Sequence, residues 1–320
     1  MSEEREYSEA RQRQIRRRRM EERRRRRRKK RIIRDTVLAG MLAVLILIVY
    51  GIGRLVSFLL SGNDEEIIVK KPETQTDKVA EVSVDTSALT PEYQEYYKQI
   101  SALADEYPDV KELYENFGDY DAELLELVIK SPETAGFVKD YPSKHNISVI
   151  PDVSKEYEPG QIPLFIQWDE RWGYSTYGDN MMAINGCGPT CLAMVAVGLT
   201  GNTNYHPRYV ADLSERNGYY SDTGTSWNLM TEGAQEMGLT GYSLNITSDN
   251  IKSELNENHP IIASMVPGDF TTVGHFIVIT GIDKDGKLII NDPNSKIRSD
   301  KHWDIDVVMS QSKSMWAYTV

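Results

Sequence analysis

Cysteine is nearly absent from this 320-residue chain: there are two, Cys187 and Cys191. Four residues apart in a predicted helix, their Cβ atoms stand ~5–6 Å apart, beyond the ~3.5–4.5 Å of a disulfide. No bridge is therefore expected, even in an oxidising compartment. Neither C-x-x-C nor H-E-x-x-H occurs, so the common zinc signatures are excluded, and no metal or cofactor is expected. A P-loop, a dinucleotide fingerprint and a serine nucleophile elbow are missing too. Asp283-Lys284-Asp285-Gly286 opens like a calcium loop but lacks the later ligands.

Charge is absent from one stretch and crowded into its neighbour. Residues 36–53 carry none, and after Arg54 the apolar run resumes through Leu60. At ~1.5 Å per residue, residues 36–60 are long enough for a ~30 Å hydrocarbon core, with Arg54 snorkelling at one end. A buried core helix of that length would show polar residues every turn, and this one does not. Residues 1–35 hold 17 Lys and Arg against 7 Asp and Glu, a net +10. The remaining 20 basic and 41 acidic residues give a body of net −21. Lys/Arg-rich flanks stay cytoplasmic, so the tail is expected inside and residues 61–320 outside. No aromatic residue interleaves with the arginines from Arg16 to Lys30. That argues against nucleic acid and for a topology signal that also holds lipid headgroups.

Residues 61–89 are polar, without helical period, and read as an extracellular stalk. Thr90-Pro91-Glu92 opens a helix with Thr as cap and Pro at the first position. Short helices are expected from about Pro108, from Ala122 to Lys130, and after Ser131-Pro132-Glu133. Pro142 to Gly160 reads as a connector, so residues 90–160 form a helical segment plus connector. About 50 helical residues are marginal for an independent core, and the segment is expected to pack on the downstream domain. Residues 161–320 suit one domain. A short strand is expected over Ile162 to Ile166, then helices over Gly188–Gly198, Tyr209–Asn217, Asn228–Gly238 and Asn250–Asn256. Strands over Ile261–Val266, Val273–Ile282, Lys287–Asn291 and Met315–Val320 complete an α+β fold with an antiparallel sheet.

Chemistry concentrates around Asn185-Gly186-Cys187-Gly188-Pro189-Thr190-Cys191. Two glycines flank Cys187 with little bulk, leaving room for a substrate backbone, and Pro189 suits a first helical turn. A cysteine at a helix N-terminus has its thiolate favoured by the helix dipole. Cys191, one turn further among apolar residues, reads as a small buried hydrophobe. The alternative for Cys187 is a buried cap residue. Of five histidines, His275 stands at the entry of a buried strand pattern, Gly274 to Gly281, where it needs a polar partner. A backbone group would satisfy it as well. Reading the turn at Asp283–Gly286 as a four-residue loop, paired positions sum to 569. Asn294 then faces His275, and Asp292 lies two residues away on the same face. Asp292 is thus a candidate to orient the imidazole, or a turn residue before Pro293. Gln167 is the candidate oxyanion donor beside the Cys187 N–H, or an exposed strand-end glutamine. Trp168, Trp172, Trp227 and Tyr220 are candidates for a substrate groove, or for core.

Gln167-Trp168-Asp169-Glu170-Arg171-Trp172, Asn185-Gly186-Cys187-Gly188-Pro189-Thr190, Gly274-His275-Phe276 and Asn291-Asp292-Pro293 resemble the C39-like peptidase family. This is a branch of the papain-like superfamily related to the leader peptidases of bacteriocin exporters. The segment from Tyr107 to Pro142 is similar to the helical prefix found upstream of such domains in bacterial surface proteins. The resemblance implies a papain-like fold and a membrane-anchored surface peptidase acting on an extracellular peptide or protein. Cys187 would be its nucleophile, His275 its base, Asp292 the orienting residue and Gln167 the oxyanion residue. One departure stands out: in the exporter branch the glutamine lies six residues before the cysteine, where this chain has Met181, whereas Gln167 lies 20 before. The same residues would also serve a peptidoglycan amidase or transpeptidase, and a papain-like binding module without turnover would keep the fold alone.

Overall fold

Helices built on proline starts come first. The computed structural model describes Thr86 and residues 89–113, 117–221 and 224–320. The basic tail, the apolar residues 36–60 and nearly all of the stalk lie outside them. Among the described residues no helix is long and apolar enough to cross a membrane. Helix α1 (Pro91–Ser101) begins where the Thr90 hydroxyl accepts the Tyr93 N–H at 3.4 Å. Short α2 (Pro108–Glu112) and α3 (Ala122–Lys130) come next. A 3-10 turn, Pro132–Thr134, leads into α4 (Ala135–Lys144). Pro142 lies inside α4 and not in the expected connector. It falls in the last turn, and His145 still donates its N–H to the Tyr141 carbonyl at 3.1 Å, so the turn closes past it.

These helices bury Ile100, Val110, Leu113, Leu124, Leu125, Val128, Phe137 and Val138 in a core of their own. Ala183 from the second half is buried in it too, with Trp168, Tyr174, Met181 and Ile184 packed against its edge. Phe137 stacks on Tyr174 with ring centroids 4.1 Å apart. A segment too small for a sufficient core thus completes it with residues of the second half, and the described residues form one compact unit.

In the second half, a small ladder of β1 (Thr176–Tyr177) and β2 (Asn180–Met181) precedes a single turn, α5 (Met182–Asn185). Helix α6 (Cys187–Thr200) is buried at every position from Gly188 to Gly198. Its sequence has no polar stripe because no face of it meets water. It stops at Gly201, whose φ of 71° is the left-handed conformation glycine adopts at helix ends. Helix α7 (Pro207–Arg216) packs beside it. A second small ladder joins β3 (Tyr220–Ser221) to β4 (Gly224–Thr225).

Residues 162–166, expected as a strand, form none. Pro163 has no N–H to give, and the Ile162 and Pro163 carbonyls are taken by the Asn291 side-chain amide instead of a ladder. The helix expected over 228–238 is broken into a 3-10 turn, Trp227–Met230, and a short α8 (Glu232–Gln235).

The main sheet is antiparallel with strand order β5-β9-β6-β7-β8. Its strands are β5 (Thr240–Leu244), β6 (Ile261–Met265), β7 (His275–Ile282), β8 (Leu288–Asn291) and β9 (Ser312–Thr319). Helix α9 (Ser248–Asn256) lies between β5 and β6 in the chain, and α10 (Lys296–Asp300) and α11 (Ile305–Ser310) lie between β8 and β9. The sheet separates two cores. One holds α6 with Ile262, Val278, Trp316 and Tyr318; the other holds Ile251, Ala263, Ile277, Ile279, Ile290 and Met315.

Candidate active site

The site forms where the head of α6 meets the entry of β7. The glycines beside Cys187 have a packing role within the protein itself. A Cβ on Gly188 would lie 2.7 Å from Thr225 Cγ2 of β4, and one on Gly186 would run into the Met182 carbonyl. Both close approaches fix the bend between α5 and α6, and that bend leaves Cys187 as the first residue of α6. There the N–H groups lie beyond the reach of intrahelical partners and favour negative charge. Cys187 is half-buried, Cys191 fully buried, and both thiols are free. Burial pushes the Cys191 thiol well above its ordinary range, as an inert core cysteine requires.

Across from Cys187, the buried His275 places Nε2 2.7 Å from Asp292 Oδ1. Cys187 is the other group that acts on this ring and favours its charged form. With Nε2 taken by Asp292, Nδ1 is the ring nitrogen left to act on a thiol. Burial alone would lower the His275 pKa, but the Asp292 carboxylate, and then Cys187, outweigh it and raise it to about 10. Asp292 is fully buried, and burial would raise its pKa. The His275 and Arg298 cations overcome that and hold it below the usual carboxylate range. Its Oδ1 also accepts the Asn294 N–H at 2.8 Å, and Oδ2 accepts Arg298 Nε at 2.6 Å. A buried carboxylate with three such partners is fixed in position as well as charged.

The expected register is present, reached by a different route. The turn closes five residues, 283–287, with Ile282 opposite Leu288, so pairs there sum to 570. An irregularity between Ile279 and Gly281 removes one, and Ile279↔Ile290 and Val278↔Asn291 sum to 569. Loop length and bulge cancel, and Asp292 arrives diagonally across from His275.

Gln167 is buried, not an exposed strand end. Its N–H donates to the Pro293 carbonyl at 2.7 Å, so its backbone is tied to the Asp292 loop. Its Nε2 donates to the Ala183 carbonyl at 2.7 Å, one helical turn before Cys187. That amide nitrogen carries two N–H groups, of which Ala183 takes one. The 20-residue separation from Cys187 is spanned by the β1–β2 ladder and α5, which fold back to bring Gln167 to Ala183, four residues before Cys187.

The four aromatic candidates part ways. Trp172 is fully buried, donates to the Ile166 carbonyl and packs edge-on against Phe165, so it is core and not groove. Trp168 is half-buried and donates to the Asn294 carbonyl at 3.2 Å, beside the Asp292 loop. Tyr220 bonds Asn185, two residues before Cys187. Trp227 is exposed and packs edge-on against Trp316. Of the other histidines, His206 caps α7, His145 bonds the Tyr141 carbonyl, and His259 and His302 pair with Glu254 and Asp283. Arg298 escapes sequence reading because nothing in its spacing marks it. Its signal is indirect: Ser295 is an N-cap that accepts the Arg298 N–H at 3.0 Å, and the cap starts α10 close enough to turn Arg298 back onto Asp292.

A cysteine heading a buried helix, opposite a histidine on an antiparallel strand with a carboxylate behind it, is an arrangement suited to thiol chemistry on carbonyl compounds. Residues 160–320 match the Peptidase_C39 like family, and the chain belongs to that family. Membership implies a cysteine peptidase acting on peptide or protein. No curated protein matches the chain.

Proposed function

We propose that the chain is a membrane-anchored cysteine peptidase whose catalytic domain faces the cell exterior, with Cys187, His275 and Asp292 as a triad and Gln167 as an oxyanion donor. The observation that carries the triad is the buried 2.7 Å contact between Asp292 and the His275 ring, together with the pull of Cys187 on the same ring. Imidazolium at His275 stabilises a thiolate at Cys187. The sulfur attacks the scissile carbonyl carbon, and the new oxyanion is met by the Cys187 N–H and the second N–H of Gln167 Nε2. As the C–N bond breaks, the Nδ1 proton of His275 passes to the leaving amine. The neutral imidazole then takes a proton from water, whose oxygen attacks the thioester; the carboxylic acid leaves and the ion pair is restored. Asp292 keeps one tautomer and one ring orientation throughout.

The anchor and orientation rest on the uncharged residues 36–53 and the basic tail before them. Protease added to intact cells is expected to remove residues beyond the stalk and to leave the basic tail protected. For the chemistry, the full chain is assayed on quenched-fluorescent casein, with Cys187→Ala beside it. Turnover is expected in the wild type alone; equal turnover in both would end this reading. Activity on purified murein fragments with none on casein would redirect it to a cell-wall amidase using the same residues.

A further inference from the structure

The upstream segment reaches the Asp292 loop through the Glu133 carboxylate and the Ser131 hydroxyl. Glu133 sits in the 3-10 turn before α4, 162 residues before Ser295 in sequence. Its Oε1 accepts the Ser295 hydroxyl in a short hydrogen bond, and Oε2 accepts the N–H groups of Lys296 at 2.8 Å and Ile297 at 3.2 Å. Ser295 is buried, and its oxygen in turn accepts the Arg298 N–H. A hydroxyl has one proton; giving it to Glu133 leaves its lone pairs aimed at Arg298. Arg298 Nε then bonds Asp292. The neighbouring Ser131 hydroxyl donates to the Asn294 carbonyl at 3.2 Å, and Asn294 gives its own N–H to Asp292. Two of the three partners of the Asp292 carboxylate are therefore held by a segment outside the family match at residues 160–320.

We propose that Glu133 is a positioning residue for Asp292: the helical segment braces the Asp292–Arg298 loop and so sets the orientation of His275, an inference that rests on the triad reading above. The segment then acts as part of the catalytic unit and not as a spacer between stalk and peptidase. Loss of the Glu133 carboxylate frees Ser295, lets Arg298 swing away, and weakens the hold of Asp292 on the imidazolium.

The test is the pH dependence of Cys187 alkylation by iodoacetamide in the full chain, which needs no known substrate. Wild type, Glu133→Ala, Glu133→Gln, Glu133→Asp and Cys187→Ser are compared, each with a thermal melt. The glutamine variant keeps the volume of Glu133 and guards against a folding failure. Expected is a wild-type rate that persists well below the pH at which free thiols react. In the alanine and glutamine variants the lower inflection should move up by roughly one pH unit, about a tenfold loss of rate at mildly acidic pH, with partial return in Glu133→Asp. A wild-type profile in folded Glu133→Ala or Glu133→Gln would overturn the brace while leaving the triad intact. A wild type with an ordinary thiol profile would instead overturn the triad reading.

Discussion

Two histidine–carboxylate pairs of equal length stand at the two ends of one hairpin. At the turn, His302 Nδ1 lies 2.7 Å from Asp283 Oδ2; at the open end, His275 Nε2 lies 2.7 Å from Asp292 Oδ1. The side chains of the first pair are 44% and 15% exposed, those of the second 7% and 0%. Asp283 spends its other oxygen on the N–H groups of Asp285 and Lys287, closing the turn. Those bonds, the Lys287 N–H first and then His302, hold its pKa below the usual range. Asp292 spends its remaining capacity on Arg298 and Asn294, and the charge of its histidine is favoured further by Cys187. Distance alone therefore does not separate scaffold from chemistry. Water competes for the exposed pair and screens it, whereas the buried pair is shielded from water and a cysteine acts on its ring.

The comparison breaks most sharply at the sulfur. Cys187→Ala should abolish both iodoacetamide labelling and casein turnover, because Cys191 is fully buried and cannot substitute; residual labelling in that variant, read by mass spectrometry, would point to an exposed Cys191. Next comes Asp292→Asn, which keeps the shape but lets the ring choose the wrong tautomer. Turnover should fall roughly a hundredfold or more, with the loss in kcat more than in KM.

The pH dependence of stability sharpens the contrast. The folded pKa of His275 is raised from 6.5 to about 10, so its contribution to stability is fully present below the unfolded value and disappears as pH rises through about 10. Asp292 is lowered, so its contribution is present above the ordinary carboxylate value and disappears as pH falls through its depressed one. Urea midpoints of the wild type should therefore decline between about pH 7 and 10 more steeply than those of Asp292→Asn, whose histidine no longer has an anion to hold its proton. Parallel curves would mean that His275 is neutral in the folded protein.

Much of this arrangement is legible in the sequence where local rules act. Thr90-Pro91 and the apolar positions of Ala122–Lys130 give helix boundaries that match, because caps and periodicity are decided within a few residues. Cys187 stands out between two glycines at a helix start, and His275 as a polar residue at the entry of an apolar strand. The route from turn to Asp292 does not, since a five-residue loop and a bulge cancel and neither carries a spacing signal of its own. Trp172 is equally open between groove and core in the sequence, and only the surrounding Phe165 and Ile166 decide it. Arg298 and Glu133 act across tertiary contacts of the sort that periodicity cannot register, and β5 is hidden because this edge strand has no fully buried residue and no regular alternation.

The smallest effect is expected at the turn, and it is the control that gives the others meaning. Asp283→Asn keeps a side-chain carbonyl able to accept the Asp285 and Lys287 N–H groups, so the turn should still close. What is lost is the negative charge beside His302, which solvent reaches. Casein turnover should stay within about twofold of wild type, as expected of a surface pair. Combined with Asp292→Asn, the effects on turnover should add, because the two carboxylates stand at opposite ends of β7 and share no partner. A double-mutant cycle with a clear coupling term would mean that the hairpin transmits strain from its turn to the site. In that case the offsetting bulge near Thr280, and not burial alone, would govern how firmly Asp292 is held.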